Sequence, residues 1–392
     1  LNSGLLNLYS FQSFSASAAK TLVNFNGATV QARGNNAIFF TNPAGTGVGT
    51  YTTRVQAGGA IFDTNGYSIG VGTALVEDAG SPGGGLIKTG AGTLTLSGAS
   101  TYTGSTLVQA GTLNIAAGGS LTGAGLINAT GGGVLTIDGT VTQANGQVFS
   151  VGTGIAGTTG TVIVNPGGVL NIGNGGAATL IGGSNTNNGQ YGRGILTLAG
   201  GTVNVGAPGP AGNPNDAARM WLNPYGNGGA TTVNLDAGTL STARPIGDGG
   251  NGQSIFNFNG GTLQAAAGIN LLQNNAANTI NVRNGGAIID TQTFTATIPE
   301  LLRHSTVAGD AAVDGGLTKL GTGTLYITAS NTYTGATTID QGTLIFSGSG
   351  RTLAGNSVVI NNGGTLTFGR NDTWGNAATT TSAAVTVNAG GT

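Results

Sequence analysis

Side chains able to do acid–base, nucleophilic or metal chemistry are scarce and scattered in this sequence. Its 392 residues include 13 acidic side chains, 12 lysines and arginines together, one histidine and no cysteine. The histidine ends the segment Pro299-Glu300-Leu301-Leu302-Arg303-His304. On a helix, Glu300 and His304 would share a face and could work as an acid–base pair. The plainer reading is preferred: a short helical excursion or cap with exposed charges. One histidine without cysteine is no metal set.

Hydrolysis by paired carboxylates needs them about 5–10 Å apart. Asp216, Asp236 and Asp248 come closest in sequence, around one irregular region, while Asp63 and Asp290 lie far apart. Gly247-Asp248-Gly249-Gly250-Asn251-Gly252 is a faint echo of a calcium-binding Gly/Asp run and reads as a glycine-rich corner. Ser97 and Thr101 have no base nearby. No catalytic residue, metal ligand or cofactor is assigned. One compositional break stands out at Gly206–Gly229, which holds four prolines together with Met220, Trp221 and Tyr225. Read as a projecting loop, it offers Trp221 as a stacking platform for a glycan or partner. Read as structure, Met220-Trp221-Leu222 is a core strand between loops, and this second reading is preferred. Trp374 could begin an equivalent feature.

The elements that would carry these residues are short strands. Charged residues make up 6% of the chain, against about 25% in average domains. Hydrophobic residues reach 38%, too many for a disordered linker. Glycine, at 77 residues, follows no three-residue period, which excludes collagen. Thr, Asn, Ala, Val, Leu and Ile supply most of the rest, a mixture suited to β-branched strands broken by Gly and Asn corners. The net charge is −1 with no basic cluster, which argues against nucleic acid as a partner. Apolar runs are too short for a membrane span. Missing cysteines exclude a disulfide framework. Leu1-Asn2-Ser3-Gly4-Leu5 does not read as a signal peptide.

Repeats decide the fold. A unit recurs in which apolar-x-apolar meets Gly-Gly or Ala-Gly and then apolar-x-apolar again, as in Leu196-Thr197-Leu198-Ala199-Gly200-Gly201-Thr202-Val203-Asn204-Val205. The paired glycines allow the positive φ a corner needs. From Gly27 to Gly391 there are 364 residues in 13 such steps, or 28 per step. This predicts an all-β parallel β-helix, or β-solenoid, of about 13–14 coils of roughly 28 residues. Coils stacked about 4.8 Å apart make a rod about 65 Å long. Asn near the corners could form ladders along it, although the spacing is too irregular to name the rungs.

A longer period lies above the first. Gly84–Ile115 aligns without gaps to Gly315–Phe346 at an offset of 231. Upstream, Asn24-Phe25-Asn26-Gly27 matches Asn257-Phe258-Asn259-Gly260, and Gly58–Thr64 matches Gly285–Thr291. Residues 24–115 thus resemble 257–346, a super-repeat of roughly eight coils. Residues 1–392 read as one continuous solenoid with 206–229 projecting from it, and the missing caps suggest an interior slice of a longer chain.

Lys88-Thr89-Gly90-Ala91-Gly92-Thr93-Leu94, followed by Thr101-Tyr102-Thr103-Gly104 and Gly111-Thr112-Leu113, resembles the autotransporter-associated β-strand repeat of bacterial passenger domains. A second copy starts at Gly316-Leu317-Thr318-Lys319. The resemblance implies a right-handed parallel β-helix exported to the cell surface, and it carries no catalytic residues to transfer. The expectation is a structural spacer, stalk or fibre segment, extracellular, joining copies of itself or continuing end to end. An adhesin that binds glycans or neighbouring cells through its loops is the alternative. A polysaccharide-degrading enzyme is a distant third.

Overall fold

The computed structural model describes residues 1–11, 21–41, 51–154, 157–173, 179–182, 192–207, 219–223, 231–247, 253–273, 278–347, 352–353, 357–369, 373–374 and 384–392. Among them there is no helix, and so none long or apolar enough to cross a membrane. Strands of two to six residues follow one another and pair in parallel with the strand one coil away. The architecture is the parallel β-helix that the glycine corners predict.

Three faces recur in fixed order. The first runs from Leu5–Leu8 through Thr29–Ala32, Ala60–Asp63 and Leu86–Thr89 to Ile246–Gly247. It continues through bridges at Leu272 and Thr297 into the stack from Thr295–Ile298 to Gly364–Phe368. The second face runs from Asn36–Phe40 through Thr93–Leu96 and Thr112–Ile115 to Leu302–His304. The third begins at Thr21–Phe25, Tyr51–Val55 and Leu75–Glu77. It joins Ala99–Ser100 through the Thr101 N–H donating to the Leu75 carbonyl, 2.9 Å, and ends at Ala384–Val387. Two longer strands, Arg193–Val205 and Thr231–Thr242, turn from the second face onto the third without a break.

Alternation within each strand fills the core. Side chains such as Leu94, Leu96, Leu113 and Ile115 point inward and are buried, while Thr93, Thr95, Thr112 and Asn114 face outward. The step from coil to coil varies with what the corners carry. It is 19 residues from Thr95 to its partner Asn114 and 41 from Leu180 to Trp221.

The super-repeat also turns. Leu86–Thr89 lies on the first face, but its equivalent Leu317–Leu320 lies on the third. Thr93–Leu96 lies on the second face and Thr324–Ile327 on the first. Thr21–Phe25 and Ala60–Asp63 shift in the same sense to Ser254–Phe258 and Ala287–Asp290. Counting first-face stations from Leu86, eight steps reach Thr295–Ile298, and two further faces reach Leu317. The step is therefore eight coils and two thirds, so equivalent segments look out in different directions.

Candidate functional site

Met220–Leu222 is a strand of the first face, between Thr179–Ile181 and Ile246–Gly247. Met220 and Leu222 are buried in the core. Trp221 faces outward, half-buried, with the Arg219 guanidinium 5.1 Å from its ring centroid, a cation–π contact. Tyr225 and most of 206–229 lie outside the described residues, as do Asp216, Asp248 and the run around them. Trp374 falls in the strand Thr373–Trp374.

The densest chemistry is in the two repeat segments, and it is turned inward. Lys88 ends up wholly inside the coil, 0% exposed, because it falls on a core-facing position of Leu86–Thr89. Its stem packs in the core while Nζ donates to three carbonyls: Thr89 at 2.8 Å, Gly90 at 2.8 Å and, one coil on, Ala110 at 3.0 Å. A fourth bond reaches Thr64 Oγ1 of the preceding coil, 3.0 Å. Lys319 repeats the arrangement on Leu320, Gly321 and Gln341, at 2.8, 2.7 and 3.1 Å. Burial pulls both ammonium groups down to about 8, against the opposing pull of Asp63 and Asp290 respectively. Lys88 therefore ties three successive coils together, and Lys319 ties its own coil to the next.

The remaining motif residues serve corners of the same coil. Gly90 and Gly321 stand at φ +75° and +78°, where other residues are strained. Gly92 and Gly323 admit no side chain at all. A Cβ there would lie 1.8 Å from the Tyr67 carbonyl oxygen and 2.0 Å from that of Phe294. Tyr102 and Tyr333 are buried, each hydroxyl bonded to a threonine four residues on, Thr106 at 2.7 Å and Thr337 at 2.6 Å. Burial raises both phenols well above the ordinary tyrosine range.

The carboxylates found in sequence are also engaged. Asp63 accepts from Gln31 Nε2, 2.7 Å, and from the Asn65 N–H, 2.8 Å. Its equivalent Asp290 accepts from Gln264 Nε2, 3.0 Å, and the Gln292 N–H, 2.8 Å. They hold turns, on different faces.

His304 is not helical. Leu302–His304 is a strand in register with Ile280–Val282, because Leu302 supplies a core contact that an extended segment buries. Glu300 is itself buried. The histidine instead meets a residue ten positions later: its Nδ1 lies 2.9 Å from Asp314 Oδ2 and 3.2 Å from Thr334 Oγ1. Burial alone would raise the Asp314 carboxyl, but N–H donors from Thr334, Gly335 and Gly316, together with His304, hold it below its ordinary range. Beside it, Arg283 grips Asp310 through Nε at 2.9 Å and Nη2 at 3.0 Å, which lowers the Asp310 carboxyl.

Sequence reading singled out neither Asp314 nor a buried arginine. Arg244 is 1% exposed and reaches the carbonyls of Gly206 (2.7 Å), Ala207 (3.0 Å) and Gly173 (3.1 Å) on neighbouring coils. It lies in no recognisable motif, so only its coil position shows its role. No group of three metal-capable side chains gathers among the described residues.

No curated protein and no solved structure matches the chain. The family described as passenger-associated-transport-repeat matches at residues 86–115 and again at 317–346, the two segments that bury Lys88 and Lys319. The chain thus carries two copies of the passenger-associated transport repeat, the repeat of autotransporter passengers that its sequence resembles.

Proposed function

We propose that the chain is a stiff structural segment, a spacer or stalk, of a secreted bacterial surface protein. The passenger repeat supports a passenger-type, secreted or cell-surface protein. The observation that carries the structural role is what the repeats do with their polar groups. Lysine and corner carboxylates are spent on bonds between coils, which stiffen a rod held by nearest-neighbour contacts. Self-association, or continuation of the same rod end to end, belongs to this reading. Imaging the intact chain by electron microscopy tests it. Straight rods about 65–75 Å long, at about 4.8 Å per coil, are expected. Compact or multi-lobed particles would refute it.

Outward-facing Trp221, with Arg219 against its ring, favours a second reading as an adhesin that contacts glycans on the first face. Trp221→Ala in the folded chain should then abolish binding on a glycan array. Unchanged binding, or none by the parent chain, removes this reading and leaves the first intact.

A further inference from the structure

The two super-repeat copies control for each other, and they differ at one corner. Strands Leu75–Glu77 and Leu302–His304 are equivalent, each leading into a repeat. In the first copy Glu77 ends the strand. Its Oε1 accepts from the Gly83 N–H, 2.6 Å, and its Oε2 from the Thr103 N–H of the Thr-Tyr-Thr-Gly corner, 2.9 Å. In the second copy His304 stands in that place. The connection onward is four residues longer, 11 from His304 to Gly315 against 7 from Glu77 to Gly84. After the longer turn Asp314, in the place of Gly83, takes over the cap. It accepts from the N–H groups of Thr334 and Gly335, both 2.8 Å, and Gly316, 2.9 Å.

A second exchange goes with the first. Gln56, which donates to Asp78 at 2.6 Å, has Arg283 as its equivalent, and Arg283 holds Asp310 by two bonds. Ser305 Oγ, next to His304, donates to the same Asp310, 2.5 Å. The Asp314 and Asp310 side chains are 1% and 5% exposed, that of His304 25%.

We propose that this corner is a proton-operated latch. Protonation of His304 strengthens its hold on the buried Asp314 and Asp310 and tightens residues 305–316 onto the Thr-Tyr-Thr-Gly corner of the second repeat. The first repeat, capped by Glu77, does not respond. Histidine is the side chain whose charge changes between about pH 5 and 8. The charged groups that act on it or on its carboxylate partners are Asp314 and Asp310 on the negative side and Arg283, bound to Asp310, on the positive, with Arg303 next to it in the chain. Asp236, which acts on Arg283, adds a further negative charge. Three negative charges against two positive leave the site short of a cation, which imidazolium supplies. A charge-assisted bond from imidazolium to a buried carboxylate is also stronger than one from the neutral ring. The inference holds whether the rod is a spacer or an adhesin.

Amide hydrogen exchange of the intact chain tests it, at about pH 5.5 and about pH 8, with intrinsic rates corrected. Gly316, Thr334 and Gly335 should open about fivefold less at the lower pH, the difference between a charged and a neutral hydrogen bond. Gly83 and Thr103, bound to Glu77, are the internal reference and should not change. His304→Asn should abolish the difference. Equal protection at both pH values in the parent chain overturns the proposal, whatever the variant does. So does a pH response that survives in His304→Asn, or an equal response at Thr103.

Discussion

At the scale of single residues, the chain's most unusual act is to bury whole lysines. Desolvating an ammonium is costly unless several acceptors meet it. Lys88 meets three carbonyls and a hydroxyl, drawn from three coils. The sign of the pH effect follows from its lowered value. With the folded group near 8 and the unfolded one near 10.5, the unfolded chain binds more protons between those limits. Stability therefore rises with pH across that window. Above about pH 10 the buried tyrosines reverse the trend, because the unfolded phenols ionise while the folded ones hold their protons. Urea unfolding should show the repeat coils more stable at about pH 9.5 than at about pH 7.5, by on the order of 1–2 kcal/mol per lysine. Lys88→Met with Lys319→Met should erase the rising limb. A flat profile in the parent chain would show that the carbonyl cage keeps the ammonium charged throughout.

At the scale of elements, the corners and outer rows explain how coils stay in register. On the second face Asn281 Nδ2 donates to Asn257 Oδ1, and Asn257 Nδ2 to Asn234 Oδ1, each 2.8 Å. Asn234 Nδ2 then donates to Thr197 Oγ1, 3.2 Å. A shorter ladder on the third face links Asn204 to Asn171, 2.8 Å, and Asn171 to Thr142, 3.0 Å. Such ladders favour one alignment, since a slip of one residue along a strand turns each amide to the opposite face. Asn257→Leu breaks two rungs and leaves a donor and an acceptor unmatched on either side. It should cost about 1–2 kcal/mol in chemical denaturation. Asn7→Leu, at an exposed outer position with one bond to Gln31, should cost less than about 0.5 kcal/mol.

At the scale of the whole molecule, the balance of forces is apolar and hydrogen-bonded rather than ionic. Among the described residues the ion pairs are Arg54–Asp78, Arg283–Asp310 and His304–Asp314. The Arg54–Asp78 pair is long, 3.9 Å, with the arginine side chain 44% exposed, and such pairs contribute little. Unfolding should therefore depend weakly on salt. The thermal midpoint is expected to move by no more than about 2 °C between low and about 1 M sodium chloride. A larger shift would reveal an electrostatic contribution that the strand stack does not suggest. The turn of eight coils and two thirds between equivalent segments also belongs to this scale. It means that identical local surfaces do not line up along one side of the rod.

What the sequence determined by itself was everything that repeats. Glycine pairs between alternating apolar strands specify corners, corners at intervals of tens of residues specify coils, and the Lys-x-Gly-x-Gly-Thr-Leu segments specify the passenger repeat. Each of these rests on local backbone geometry and strand alternation, which leave a periodic imprint on the chain. Tertiary structure alone decided which residues meet across coils. Coil length varies with every corner, so residue separation does not give the rung. The partner of His304 is Asp314, at the end of a lengthened turn, rather than Glu300, because Leu302 holds the segment extended against the core. Arg244 serves carbonyls 37, 38 and 71 residues away, a reach that no local pattern records.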